Sequence, residues 1–293
     1  MQGFWGLLAN KTRRKEAVSM RRLAAVFLAL FMLVSSAALS EDTVVMTEPI
    51  PYASEEAEAR AYADAMQERF GITILIDEEC QSVLSVDDFS IGNQAPARSP
   101  FLSMMGLKFT TDELKKLEKA LEQYPVELFS LIKNRNAPGG LRFLIADQII
   151  DADPAMNSVG YAVCEDSYYN VVLAHTFFDQ ATVHHEIWHA MEMFITEKHP
   201  DAFLIWDALN PEGFQYSHDY TAAAEDFNAD YFARGYGTAD PLEDRATIAE
   251  AVFFENRNEW FSQRPAIKRK LDAMNLALKD TLVIQYNVKT EGQ

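Results

Sequence analysis

An α+β fold is what this sequence predicts: a small mixed sheet carrying a histidine-rich helix, then a mainly helical C-terminal half. Three observations carry that expectation. Periodic and β-branched segments run in the order helix, strand, helix, strand, strand pair, helix as far as Thr196. From His199 onward only helical periods and loops remain. The 293 residues are 48% hydrophobic and rich in aromatics, a composition that folds rather than stays disordered.

Each element has its own signal. Ser54 opens an acidic, alanine-rich helix, SEEAEARAYADAMQERF, which Gly71 stops. Residues 72–76, ITILI, are β-branched and read as a buried strand, and the stretch beyond, with Pro96 and Pro100, reads as loop. Thr110-Thr111-Asp112-Glu113 supplies a hydroxyl cap and first-turn acids. Leu114, Leu117, Leu121 and Leu128 continue an apolar helix face to about Ile132. Pro125 should kink or split that helix, because it lacks an N–H and clashes with the preceding turn. NAPGG breaks the chain before a second strand at residues 141–146, LRFLIA. GYAVCED and NVVLAH bracket a turn and read as a strand pair. Asp179 is placed to cap a helix running from about Gln180 to Thr196. Further on, NPEGFQY is a loop, while DPLEDRATIAEAVFF and RPAIKRKLDAMNLALKDTL are helices. Pro241, Glu243 and Asp244 suit the N-terminal turn of the first.

Residues 1–40 stand apart. Lys11, Arg13, Arg14, Lys15, Arg21 and Arg22 precede an uncharged, mostly apolar run at residues 23–39. Small residues Ala38 and Ser40 close it before Glu41 and Asp42. This is the layout of a secretory signal peptide, and Met20-Arg21-Arg22 would itself serve as a start. The alternative is an uncleaved signal anchor through residues 23–39, a length near the lower limit for a span. No cysteine ends the run, which speaks against a lipoprotein. Residues 41–53 then read as a linker and residues 54–293 as one domain. The expected location is secreted or cell-envelope, with membrane contact only if the leader stays uncleaved.

Residues 1–40 carry a net +5, so −23 belongs to the rest of a chain whose total is −18. A surface that acidic excludes nucleic acid and anionic lipid as natural partners. Cys80 and Cys164 are the two cysteines. Export would permit a disulfide between them, and two unrelated buried thiols fit equally well.

The chemistry concentrates in TVHHEIWHAME, Thr182 through Glu192. On a helix, His185 and His189 lie one above the other and can aim both imidazoles at one zinc ion. Glu186 is one step round, able to reach a water on the ion but not the ion itself. Ile187 and Trp188 fall opposite, where they can anchor the helix in a core. The bland alternative is a helix surface with spare histidines. The neighbouring Val183, Met191 and Phe194 oppose it, since a buried histidine needs a partner and zinc supplies one to both. His184 points about 100° away and reads as structural or solvent-facing.

Two imidazoles do not complete a catalytic zinc site, which takes three protein ligands and an open position. AMEMFI after His189 lacks a third histidine, so an acid further on is expected. The candidates are Glu225, Asp226, Asp230, Glu243 and Glu250. The first three sit in a polar segment, AAAEDFNAD, that reads better as a solvated face. Glu243 and Glu250 are seven apart and share one helix face, so periodicity cannot choose between them. A ligating histidine hands its other N–H to a carboxylate or carbonyl, and Asp244, Asp230 and Glu250 are candidates for that role.

Here the chain resembles a known family. VHHEIWHAMEMF followed by YGTADPLEDRATIAEAVF is similar to the zinc peptidase domain of anthrax lethal factor and its relatives, over about residues 176–254. In that family a tyrosine lies seven residues before the third-ligand glutamate, as Tyr236 lies before Glu243 here. Trp188 departs from the small residue often found before the second histidine. The resemblance implies a zincin-like metallopeptidase fold. It also implies zinc (Zn2+) held by His185, His189 and Glu243, with Glu186 as general base and Tyr236 as transition-state donor. Gly235 and Gly237 flank Tyr236, so its backbone is expected to flex and its ring to swing towards substrate. An edge strand near NVVLAH is implied to pair with an extended protein or peptide substrate. The expected activity is that of an exported zinc peptidase, endopeptidase rather than exopeptidase. The alternatives are a non-peptidase zinc amidohydrolase and a non-catalytic, zinc-stabilised binding protein.

Overall fold

The computed structural model describes residues 52–76, 79–80, 83, 89–92, 109–146, 148–151, 158–175, 178–220, 226–282, 284 and 286. All belong to one compact unit, Ile50–Gln293. Residues 1–40, expected to be a signal peptide or signal anchor, most of the expected linker and Glu225 lie outside the described residues. Among those described, no helix is long and apolar enough to cross a membrane.

Helix α1 (Tyr52–Phe70) begins two residues before Ser54 and ends at Gly71. Gly71 takes the left-handed conformation, φ +67°, that favours glycine. Strand β1 (Thr73–Ile76) follows. A short strand β2 (Phe89–Gly92) precedes α2 (Phe109–Leu121) and α3 (Val126–Leu131). Pro125 stands at the N-cap of α3, so the proline splits the helix rather than kinking it. Strands β3 (Leu141–Ala146), β4 (Gln148–Asp151), β5 (Gly160–Glu165) and β6 (Tyr168–Ala174) come next.

The main sheet has the order β1-β3-β6-β5, parallel except for the β5–β6 hairpin. Asp166 and Ser167 turn that hairpin with φ of 52° and 67°, the twist that suits flanking strands. All six residues of β3 are buried, as a central parallel strand requires. Alternate residues separate its faces. Leu141, Phe143 and Ile145 enter the main core with α1, α2 and the later helices, while Leu144 and Ala146 meet Cys80 and Val172 on the other face. Cys80 Sγ donates to the carbonyls of Leu75 and Ile145, Cys164 is exposed, and no disulfide joins them. NVVLAH forms the inside strand β6, so the edge expected there is taken by β5 instead. The β2–β4 ribbon had no readable signal; each strand has four residues.

Helix α4 (Gln180–Lys198) lies against β5 and β6. Asp179 caps it, accepting from Thr182 N at 2.9 Å. A turn at Gly235–Thr238 leads into α5 (Pro241–Ala251), which packs on α4. Helix α6 (Arg257–Ser262), missed in the sequence, and α7 (Pro265–Leu282) complete the chain. Helices on one face of a small mixed sheet make this an α+β fold.

Candidate metal centre

The periodicity of α4 divides its residues as expected. Val183, Ile187, Trp188, Met191, Phe194 and Ile195 are fully buried in the core. His185, Glu186 and His189 face the other way, towards β5 and α5, on a cleft of about 640 Å³. His184 is buried as well, and the solvent-facing alternative is corrected. Its ring stacks on Phe253 at 3.6 Å, and Nδ1 lies 2.9 Å from the Tyr124 hydroxyl. Burial pulls its pKa down to about 3, so it sits in the fold as a neutral structural residue.

Helix α5 brings in the acids. Asp240 caps it, accepting from Leu242 N at 2.7 Å and Glu243 N at 3.0 Å, which orients the first turn. Glu243 Oε2 lies 2.9 Å from His185 Nε2 and 3.6 Å from His189 Nε2. The two Nε2 atoms are 3.0 Å apart. Seven residues on, Glu250 Oε1 accepts from His185 Nδ1 at 2.6 Å. The two acids that periodicity could not separate thus meet the same imidazole on opposite nitrogens.

That assignment leaves an electrostatic problem which a cation solves. With its proton on Nδ1, His185 points a lone pair from Nε2 at the carboxylate of Glu243 and the ring nitrogen of His189. Burial disfavours a charged imidazole, yet Glu243 and Glu250 hold the His185 pKa up at about 10. Burial would likewise raise Glu243, but the imidazoles of His185 and His189 beside it keep it well below the usual carboxylate range. Positive charge is favoured at this point. Tetrahedral zinc with Zn–N near 2.0–2.1 Å separates its donors by about 3.3 Å, and the observed separations of 2.9, 3.0 and 3.6 Å bracket that value. Among the described residues, His185, His189 and Glu243 form a group whose ligand atoms all lie within 4.8 Å of one another. The residues present therefore fit a zinc ion.

Glu186 stands beside this group. Its Oε2 is buried with no hydrogen-bond partner, and burial pushes its carboxyl up. Strand β5 shapes its berth: a Cβ at Gly160 would come within 2.9 Å of Glu186 Cγ and Oε1. Tyr236 lines the same cleft, its ring 6.0 Å from that of His185. Two glycines, Gly235 and Gly237, flank it. Neither uses positive φ, and a Cβ at Gly237 would meet Thr247 Oγ1 at 2.7 Å. Gly237 lets the turn pack directly on α5.

The remaining candidates fall elsewhere. Asp226 and Asp230 are exposed and outside the cluster. Asp244 turns away from the histidines to bind Lys270 Nζ at 2.7 Å, Tyr216 and Trp206. Two features escaped sequence reading. Arg245 and Glu192 form a buried ion pair joining α5 to α4, and Glu192 also accepts from Trp188 Nε1 at 2.8 Å. Arg234 donates to Glu250 Oε2 at 2.9 Å. Glu192 lies seven residues after His185, on the same helix face, which was the available clue.

No family model matches the chain, and no curated protein matches it. Among solved structures, the chain is similar to a provisionally named zinc-binding metallo-peptidase from Bacteroides caccae. Identity is 15% and the TM-score 0.40, over 80% of this chain and 88% of that one. So loose an overlap assigns neither a family nor an activity to this chain.

Proposed function

We propose that this chain is a zinc-dependent peptidase of the lethal-factor type, acting on protein or peptide substrates. One observation carries the reading. Three ligand atoms converge beside a buried glutamate that lines the same cleft and has one oxygen without a hydrogen-bond partner. Two imidazoles and one carboxylate are a catalytic rather than a structural donor set, since a structural zinc takes four protein ligands. In this reading His185, His189 and Glu243 hold the ion. Bound zinc polarises a carbonyl and lowers the pKa of a bound water to near 7.

The chain's own residues do the rest. Glu186 takes a proton from the attacking water and delivers it to the leaving amine. A carboxyl raised by burial is suited to holding that proton between the two steps. Tyr236 keeps its proton, because burial and the nearby Glu243 and Glu186 raise its pKa. Its hydroxyl can therefore donate to the developing oxyanion. Glu250 fixes the tautomer and orientation of His185. Strand β5 pairs only with β6 among the described strands, so its outer edge can receive an extended substrate over the cleft. That geometry favours cleavage within a chain, an endopeptidase. Export is a further proposal, supported by the leader at residues 1–40 alone.

Glu186→Gln tests the reading. The variant should bind zinc with wild-type stoichiometry and lose hydrolysis of a casein or mixed-peptide substrate. Full activity in that variant would refute the mechanism.

A further inference from the structure

Arg234 is the guanidinium of the cleft. No lysine and no other arginine lines the cleft among the described residues. The chain beyond the leader is strongly acidic, and the walls near the metal group carry Glu186, Glu192, Glu243 and Glu250. A guanidinium placed there needs a reason.

Part of the reason is Glu250. Arg234 Nη1 donates to its Oε2 at 2.9 Å, a charge-assisted bond to a carboxylate only 3% exposed. That contact alone would be served by a covered side chain. Arg234 is instead 51% exposed, with its Cζ 5.9 Å from the centre of the Tyr236 ring. Its backbone is extended just ahead of the Gly235–Thr238 turn. One end of the fork is tied down and the rest is open to the cleft beside Tyr236.

We propose that Arg234 is a subsite for a carboxylate of the substrate, an inference that rests on the peptidase reading. A guanidinium has five N–H donors in a planar fork that matches a carboxylate in bidentate fashion. Glu250 holds that fork in place before substrate arrives, which lowers the ordering cost of binding. Glu250 is itself engaged by His185 Nδ1–H, so its charge is shared and does not cancel the guanidinium alone. The acidic surface repels acidic peptides in general, so one exposed guanidinium beside Tyr236 selects the position of the acid. The carboxylate comes from an Asp or Glu side chain or from the substrate's C-terminus.

Paired fluorogenic peptides test this. One set carries Glu or Gln at each position flanking the cleaved bond; the other ends in a free or amidated C-terminus. The wild-type protein should favour the carboxylate member of one pair by at least about tenfold in kcat/KM. Arg234→Ala should abolish that ratio, and Arg234→Lys should keep part of it. A preference confined to one internal position identifies a side-chain carboxylate, and one confined to the free C-terminus identifies the terminal group. If Arg234 only steadies Glu250, the Ala variant lowers both members equally and leaves the ratio intact; that result overturns the proposal. A wild-type ratio near one at every pair overturns it too. Failure to cleave any peptide, with zinc bound, counts instead against the peptidase reading.

Discussion

Replacing Arg245 by leucine should destabilise the protein by about 3–5 kcal/mol. The magnitude follows from what the change strands. Glu192 and Arg245 are 2% and 5% exposed. Glu192 Oε1 accepts from Arg245 Nε at 2.9 Å and from Nη2, while Oε2 accepts from Trp188. The guanidinium lies against the rings of Phe203 and Trp206, at 4.5 and 4.9 Å, where a leucine can pack. Without Arg245, a buried carboxylate keeps a single donor, the costly case for a buried ion pair. In a domain of this size each kcal/mol moves Tm by about 2–4 °C, so the zinc-free Tm should fall by roughly 6–20 °C.

A second variant separates the charge from the packing. Glu192→Met with Arg245→Leu removes both charges and should recover to within about 2 kcal/mol of wild type, the remainder being the cost of the stranded Trp188 N–H. Urea unfolding of zinc-free protein measures both variants. Chelator competition then reads zinc affinity, which should weaken in the single variant, because Arg245 anchors the turn that carries Glu243. A loss below about 1 kcal/mol in Arg245→Leu, or a double variant no better than the single, would show that the pair is not desolvated as its burial implies.

Other changes probe the centre itself. Glu243→Ala should abolish tight zinc binding, whereas Glu250→Ala should weaken it about 10–100-fold, read by metal analysis and chelator competition; the reverse order would exchange their roles. Gly160→Ala sets a Cβ 2.9 Å from Cγ and Oε1 of Glu186, and should lower kcat by about a hundredfold with zinc retained. An unchanged kcat would mean that β5 does not position Glu186. His184 gives a pH signature. Its pKa of about 3 in the fold lies below its unfolded value near 6.5. Its contribution is therefore complete above pH 6.5 and is lost as pH falls towards 3. His184→Gln should flatten zinc-free stability between pH 6.5 and 4 relative to wild type, and parallel curves would exclude the buried neutral state.

What the sequence discloses and what it hides divide along physical lines. The order of strands and helices was legible because each element in the core carries its own period, as in LRFLIA and the leucines of α2. The face of α4 was legible for the same reason: His185 and His189 share a side, and Ile187 and Trp188 oppose it. The edge strand was misplaced because β5 and β6 form one hairpin, and which of two paired strands meets β3 is a tertiary fact. The short β2–β4 ribbon has too few residues per strand for a period to register.

Helix α5 shows why the rest of the site could not be read. Asp244 through Ala251 are all buried, although the segment is too polar to look like a core helix. Successive residues on a helix point about 100° apart, so Glu243, Asp244 and Arg245 must meet three different environments. They do: the histidine pair, Lys270 on α7 and Glu192 on α4. Each partner lies far off in the chain, and each satisfies a charge that would otherwise forbid burial. A local pattern records that a residue is charged, not that a partner waits for it. The same holds for Glu250, whose role is set by the nitrogen of His185 it faces. The helix that completes the centre is thus specified by pairings along its whole circumference. Its ligand is positioned by the same buried charges that give the segment its polar composition.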